Sequence, residues 1–291
     1  MALKMRGYLM ASLPQLRFEP TARKVRVRYG GETLADTQEA LLVWEPRRLV
    51  PVYAVPEGAL HARLVPSGPA VREEPDGLPP VLGPEDFATH TSPGQPLDVQ
   101  VRQELLANAA FRPADEALAG YVLLDFPTFA WMEEAEVAIG HPHDPFKRID
   151  TLRSDRHVQV FLDGTALADT RHAVALLETY LPVRWYVPRD DVRLELLEPS
   201  EHRTTCAYKG HASYFSLTGA GQRGQAVAWT YPDPLHDAQP VREMICFFNE
   251  RTDLVLDDVP AARPVTPWSS PAEQQRMFAE SAASSGELEF D

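Results

Sequence analysis

Residues 23–45 read RKVRVRYGGETLADTQEALLVWE, and residues 156–178 read RHVQVFLDGTALADTRHAVALLE. The two stretches align without a gap, and ten of twenty-three positions are identical. Unrelated stretches of ordinary composition would share about one or two. After a one-residue slip the match resumes with Val55-Pro56 on Val187-Pro188, and it ends with Pro66-Ser67 on Pro199-Ser200. A repeat at this spacing governs the fold, since each copy must form the same supersecondary unit.

The repeated unit reads as β structure. Val25 and Val27, like Val158 and Val160, alternate with polar residues, which places the valines on one buried face of a strand. Tyr29-Gly30-Gly31-Glu32 and Leu162-Asp163-Gly164-Thr165 then supply the positive-φ residues of a tight hairpin, and Leu-Ala-Asp-Thr opens the returning strand. Further strands are expected at 183–187, 191–197, 213–218, 225–230 and 243–248. The run GYVLLDF at 120–126 matches MICFFN at 244–249 as a buried strand. Residues 97–110 predict a short helix. With 27 prolines and little helical periodicity, the class is mainly β: two tandem copies of a small β-rich domain with short helices and a Pro-rich insertion in the first copy.

The expected boundaries follow. A degenerate first copy spans 16–140, with an insertion over about 68–118 that begins in a Pro-, Gly- and acid-rich stretch. Residues 141–155 read as a linker, 156–260 as the second copy carrying the site, and 261–291 as a tail without strong apolar period.

Composition excludes several function classes. Forty-two acidic against twenty-eight basic residues give a net charge of −14, which opposes binding to phosphate backbones. No apolar run is long enough for a membrane-spanning helix, and the N-terminal apolar patch is cut short at Pro14, so the chain reads as cytoplasmic. Cys206 and Cys246 make neither a disulfide framework nor a four-thiolate zinc site. His141, His143 and Asp144 are metal-ligand types, but they form no complete ligand set, so no metal or cofactor is expected. Phosphate-loop, Rossmann and nucleophile-elbow patterns are absent.

The candidate chemistry lies in Thr205–Ser216, TCAYKGHASYFS. It packs a thiol, a phenol, an ammonium and an imidazole between Cys206 and His211, and the first copy has no counterpart. Cys206 is the candidate nucleophile if Lys209 or His211 sets a positive charge beside it; the opposing reading is a small buried hydrophobe. Lys209 precedes Gly210, which lets the chain turn tightly beside the ammonium; otherwise Lys209 is a surface residue in a turn. Cys206 and Lys209 are the catalytic candidates. Glu178, Arg184, Tyr208, His211, Tyr214, Trp229 and Tyr231 are the ligand-binding candidates. Glu45 matches Glu178, whereas Val52 stands in place of Arg184; a buried pair of Glu178 and Arg184 would be costly unless well satisfied. Trp229 and Tyr231, with Tyr214 opposite, would wall a pocket or form cross-strand core pairs.

The stretches G-x-x-L-A-D-T, L-L-E-T-x-L-P-x-R-W-Y-V-P, T-x-C-x-Y-K-G-x-A-S-Y-F-S and A-W-x-Y-P-D-P resemble family 427 of the domains of unknown function, in its tandem, two-copy actinobacterial form. The resemblance covers residues 158–259 well, and 25–67 and 120–150 more loosely. It implies a small tent-like β fold and no settled activity. The family's C-P-Y-K-G reads Cys206-Ala207-Tyr208-Lys209-Gly210 here, and its Y-W-S reads Tyr214-Phe215-Ser216.

The function expected from these residues is a small-molecule pocket in the second copy, binding a small polar or anionic metabolite. A cysteine- or lysine-dependent enzyme acting on a small metabolite is one alternative. A structural or interaction protein without ligand is another. Partners are then a small-molecule ligand, with no nucleic acid and no membrane, and either a homodimer or an intramolecular pseudo-dimer of the two copies.

Overall fold

The repeat folds twice into the same arrangement of strands in the computed structural model, which describes residues 5–71, 81–266 and 269. The division into two units falls between Asp144 and Pro145. Unit one contains β1 (Arg17–Pro20), β2 (Val25–Tyr29), β3 (Glu32–Thr37), β4 (Leu41–Trp44), β5 (Val52–Pro56) and β6 (Arg63–Pro66). It continues with β7 (Gly94–Val101), β8 (Glu104–Pro113), β9 (Tyr121–Leu124), β10 (Ala130–Glu133) and β11 (Glu136–Ala138). Unit two contains β12 (Ile149–Arg153), β13 (Val158–Leu162), β14 (Thr165–Thr170), β15 (Val174–Glu178), β16 (Arg184–Val187) and β17 (Leu197–Cys206). It continues with β18 (Gly210–Leu217), β19 (Ala228–Thr230), β20 (Ile245–Phe247), β21 (Asp253–Leu256) and β22 (Val259–Pro260).

The strands of each unit form one seven-stranded and one four-stranded sheet. The large sheets run β1-β4-β5-β9-β8-β7-β6 and β12-β15-β16-β20-β19-β18-β17; the small ones run β11-β10-β2-β3 and β22-β21-β13-β14. Strand for strand the orders coincide, so the duplication extends well past the 23 aligned residues. The expected match of 120–126 with 244–249 is β9 with β20.

Local chemistry explains the repeated hairpin. Gly30 (φ 54) with Gly31 (φ 85), and Asp163 (φ 50) with Gly164 (φ 78), place both central turn residues at positive φ, the twist that suits a two-residue hairpin. Each hairpin also shifts register at the same place, between Val27 and Arg28 and between Val160 and Phe161. The valines and the Leu-Ala of each LADT face the large sheet. In unit one, Val25, Val27, Leu34 and Ala35 pack with Leu42, Val55 and Val122; in unit two, Val158, Val160, Leu167 and Ala168 pack with Ala175, Val187 and Ile245. Burial of these two-layer cores is the main stabilising term.

Several expectations are corrected. Residues 97–110 are not helical: Leu97, Val99 and Val101 are buried in β7 and alternate with half-buried neighbours, a period of two, and β8 follows after a turn at Arg102 (φ 52). Because β7 and β8 stand where β18 and β19 stand, the extra stretch of unit one narrows from 68–118 to the connection between β6 and β7. In unit two that connection is the turn Ala207-Tyr208-Lys209. The expected linker 141–155 contains β12, which pairs with β15 from Ile149 opposite Glu178 to Arg153 opposite Val174. The expected strand at 191–197 is instead two 3-10 turns, Arg189–Asp191 and Leu194–Leu196. The tail beyond 266 lies, apart from Ser269, outside the described residues. Among those residues no helix is long and apolar enough to cross a membrane.

Candidate functional site

The face of each seven-stranded sheet turned away from its small sheet distinguishes the two units. Strand registers align Leu41, Val43, Val52, Ala54, Phe111 and Leu123 of unit one with Val174, Leu176, Arg184, Tyr186, Trp229 and Cys246 of unit two. In unit one this face is an apolar cluster, closed by Phe87 of the β6–β7 connection and by Leu118, with the buried His90 ring stacked on Phe111 at 3.7 Å between centroids. In unit two the same lattice carries a guanidinium, a phenol, an indole N–H and a thiol.

Buried polar groups need partners, and here they find one another. Trp229 Nε1 donates to the Tyr186 hydroxyl at 3.0 Å. Arg184 donates through both terminal nitrogens to Glu250 at 2.8 Å each, and the Thr266 hydroxyl donates to the same carboxylate. The Arg184 guanidinium lies 5.5 Å from the Trp229 ring centroid and 5.7 Å from that of Phe248. Burial pulls the Arg184 pKa down, but Glu250 outweighs it and holds the group above its ordinary value. Arg184 therefore pairs with Glu250, not with Glu178.

Glu178 ends β15 and meets the β17–β18 turn. That turn is buried: Ala207, Tyr208 and Lys209 are each less than a tenth exposed. Gly210 (φ 93) lets the chain reverse where an added Cβ would stand 3.4 Å from the Asp233 carbonyl, and Leu235 N–H donates to the Lys209 carbonyl at 3.1 Å. So held, Lys209 Nζ donates to Glu178 Oε2, while Lys147 Nζ lies 3.1 Å from Glu178 Oε1 and 5.6 Å from the Tyr208 ring centroid. Burial pushes the Glu178 carboxyl up, but Lys209 and Lys147 more than offset this and hold it below the usual carboxylate range. Burial pushes Lys209 down, yet Cys206 and Glu178 beside it hold its ammonium above its ordinary value. Cys206 itself is half-buried.

Beside this cluster opens a cavity of about 510 Å³, lined by residues that include Tyr214, Phe248, Arg251, His202 and Ser216. The Tyr214 and Phe248 rings lie nearly parallel, 19° apart with centroids 6.4 Å apart, and the His202 ring meets Tyr214 edge-on with centroids 4.5 Å apart. The Tyr214 hydroxyl is 2.9 Å from Thr204 Oγ1. Arg251 stacks on Phe248 at 4.4 Å and donates to the carbonyls of Gln225 and Ala226. Among the described residues no carboxylate forms a salt bridge with it. Burial lowers its pKa, and the neighbouring Glu250 carboxylate opposes this only in part; the guanidinium stands at the cavity wall.

Of the residues singled out in the sequence, Glu178, Arg184, Cys206, Tyr208, Lys209, Tyr214, Trp229 and Tyr231 thus fall on this face or in the turn beneath it. His211 does not. It is exposed, lies on the opposite face of β18 from Tyr214, and meets Thr205 Oγ1 at 2.9 Å. Trp229 and Tyr231 are buried beneath the cavity rather than lining it, at 7% and 5% exposure. Sequence reasoning missed Lys147, Tyr186, His202, Phe248, Glu250 and Arg251. Lys147 was absorbed into the linker. Phe248 carried a usable signal: the β9–β20 register sets it on Asp125, an aromatic in one copy where the other has a carboxylate.

A family model described as Domain of unknown function (DUF427) matches the chain over residues 17–72 and 150–258. The two segments together exceed half of the chain, and the protein belongs to that family. The first stops short of β7, so strand order reveals more of unit one than the family pattern does. A search of curated proteins finds no match to the chain.

Proposed function

We propose that unit two binds a small, planar, anionic molecule in the cavity floored by Tyr214 and Phe248. Family membership assigns no activity, so the reading rests on the site. The observation that carries it is Arg251, a half-buried guanidinium fixed by two carbonyls and an aromatic ring, facing a cavity of about 510 Å³. Ligand cavities run to roughly 300–1,000 Å³ and combine aromatic walls with a few placed polar groups. The flat Tyr214 and Phe248 rings suit a conjugated ligand, and Arg251 suits its carboxylate. The corresponding face of unit one carries Ala54 and Val52 in place of Tyr186 and Arg184, and Phe87 closes it.

The test is a calorimetric titration of the full chain with planar aromatic carboxylates from benzoate to indole-3-acetate. Arg251→Gln should weaken binding about tenfold or more, the worth of one charge-assisted hydrogen bond. Unchanged affinity, or no binding by the unaltered chain at millimolar concentration, contradicts the proposal.

A second reading, a cysteine-dependent reaction on the bound molecule, is favoured by the half-buried Cys206 against Lys209. Cys206→Ala separates the two: a binding module keeps its affinity and has no turnover to lose, whereas an enzyme keeps affinity and loses turnover.

A further inference from the structure

The polar groups of the cavity wall stand at two ends of the Tyr214 ring. At one end Ser216 and Arg251, both lining the cavity, meet on a single residue. The Ala226 amide donates to Ser216 Oγ at 3.0 Å, while Arg251 donates to the Ala226 carbonyl at 2.6 Å and to that of Gln225 at 2.7 Å. These bonds fix both side chains and leave donors over. Ser216 accepts the amide and keeps its own O–H, and the two terminal nitrogens of Arg251 serve the carbonyls and leave Nε–H. Among the described residues neither spare donor has an acceptor. No described carboxylate lines the cavity. Glu198 stands opposite Ser216 in register but is exposed and makes no hydrogen bond with it. Glu250, next to Arg251 in the chain, is taken up by Arg184 and Thr266.

At the other end is His202. β17 bulges between Pro199 and Arg203, and Arg203 braces the bulge by donating to the carbonyls of Ser200 and His202. The His202 amide donates to Ser200 Oγ at 3.1 Å, so the imidazole is set edge-on to Tyr214 at the cavity wall. Neither ring nitrogen has a hydrogen-bond partner among the described residues, and a neutral imidazole offers one donor and one acceptor. The Tyr214 hydroxyl is occupied by Thr204. Tyr214 and Ser216 are two residues apart on one face of β18 and therefore about 7 Å apart along the strand. That is close to the span of a benzene ring with a polar group at each end.

We propose that the cavity selects aromatic acids carrying a hydrogen-bonding group opposite the carboxylate, as in 4-hydroxybenzoate. Ser216 O–H and Arg251 Nε–H seat the carboxylate, the ring lies against Tyr214 and Phe248, and His202 meets the far substituent. The inference deepens the proposed function and rests on it for the aromatic acid. What it adds is the second polar group of the ligand and the two residues, Ser216 and His202, that determine specificity.

The experiment is calorimetric titration of the full chain with benzoate, 3-hydroxybenzoate and 4-hydroxybenzoate. 4-Hydroxybenzoate should bind about tenfold more tightly than either of the others, the worth of one well-placed hydrogen bond. His202→Phe keeps a ring beside Tyr214 at an exposed position, and the ratio of 4-hydroxybenzoate to benzoate affinity should fall to about one. A merely structural role for His202 would weaken both acids alike and preserve the ratio. Ser216→Ala should weaken all three acids about tenfold, and Ser216→Thr, which keeps the hydroxyl, should restore most of the loss. Equal affinity for the three acids, or a His202→Phe variant that still prefers 4-hydroxybenzoate, overturns the selectivity while the anion-binding cavity stands. Failure of all three acids to bind the unaltered chain overturns both.

Discussion

Glu45 and Glu178 end corresponding strands of two copies of one fold, yet Glu45 is bound by backbone amides, Ser92, His90 and Arg48, whereas Glu178 is bound by two lysines. The shared carboxylate is part of the frame. What differs is the chain that reaches it: a long connection in unit one, a three-residue turn in unit two. The long connection also brings Phe87 onto that face of unit one, whereas in unit two the face packs with Ala238 and Val241 and the cavity opens at Tyr214 and Phe248.

Glu178→Gln should destabilise unit two by about 3 to 5 kcal/mol, because it strands buried ammonium groups. The pH dependence follows from the lowered folded pKa. The carboxylate's contribution is present in full above its ordinary value of 4.5 and is lost as pH falls through the lower folded value. Denaturant titrations across pH 3 to 7, a window of roughly that span, should show unit two of the variant losing less stability on acidification than the unaltered chain; a parallel acid limb contradicts this.

The Arg184–Glu250 pair gives a second test. Either Arg184→Met or Glu250→Gln alone should cost about 3 to 5 kcal/mol, while the double variant should cost much less than the sum, since a buried pair contributes little net stability but leaves a costly orphan when halved. Additive losses in a double-mutant cycle contradict the bidentate geometry.

The two thiols should separate cleanly. Cys246 is fully buried, which pushes its pKa up to about 12, whereas Cys206 is half-buried. Brief iodoacetamide treatment of the native chain, read by peptide mass spectrometry, should label Cys206 and spare Cys246 until the chain is denatured. Native labelling of Cys246 contradicts the packing of β20.

The fold was legible where periodicity and turn chemistry speak locally. The alternating valines and the Asp-Gly and Gly-Gly turns specify the hairpins, and the repeat carries them to both units. Residues 97–110 misled because Leu105, Leu106 and a run of alanines mimic a helix, while the decisive alternation of Leu97, Val99 and Val101 is short. The cluster around Lys209 was legible because its residues are nearly contiguous. The rest was not: Lys147 reaches Glu178 from the approach to β12, while Phe248, Glu250 and Arg251 come from the end of β20 to meet Tyr214, Arg184 and the Gln225 and Ala226 carbonyls, and only tertiary pairing makes these contacts. His211 failed for a simpler reason, since adjacent strand residues point to opposite faces.

The most direct measurement is a crystal structure of the full chain soaked with indole-3-acetate at saturating concentration. The expected result is ligand density between Tyr214, Phe248 and Arg251 in unit two, with none over Leu41, Ala54 and Phe111 in unit one. Density over the unit-one face, or an empty unit-two cavity at saturation, would contradict the claim that the second copy alone carries the site.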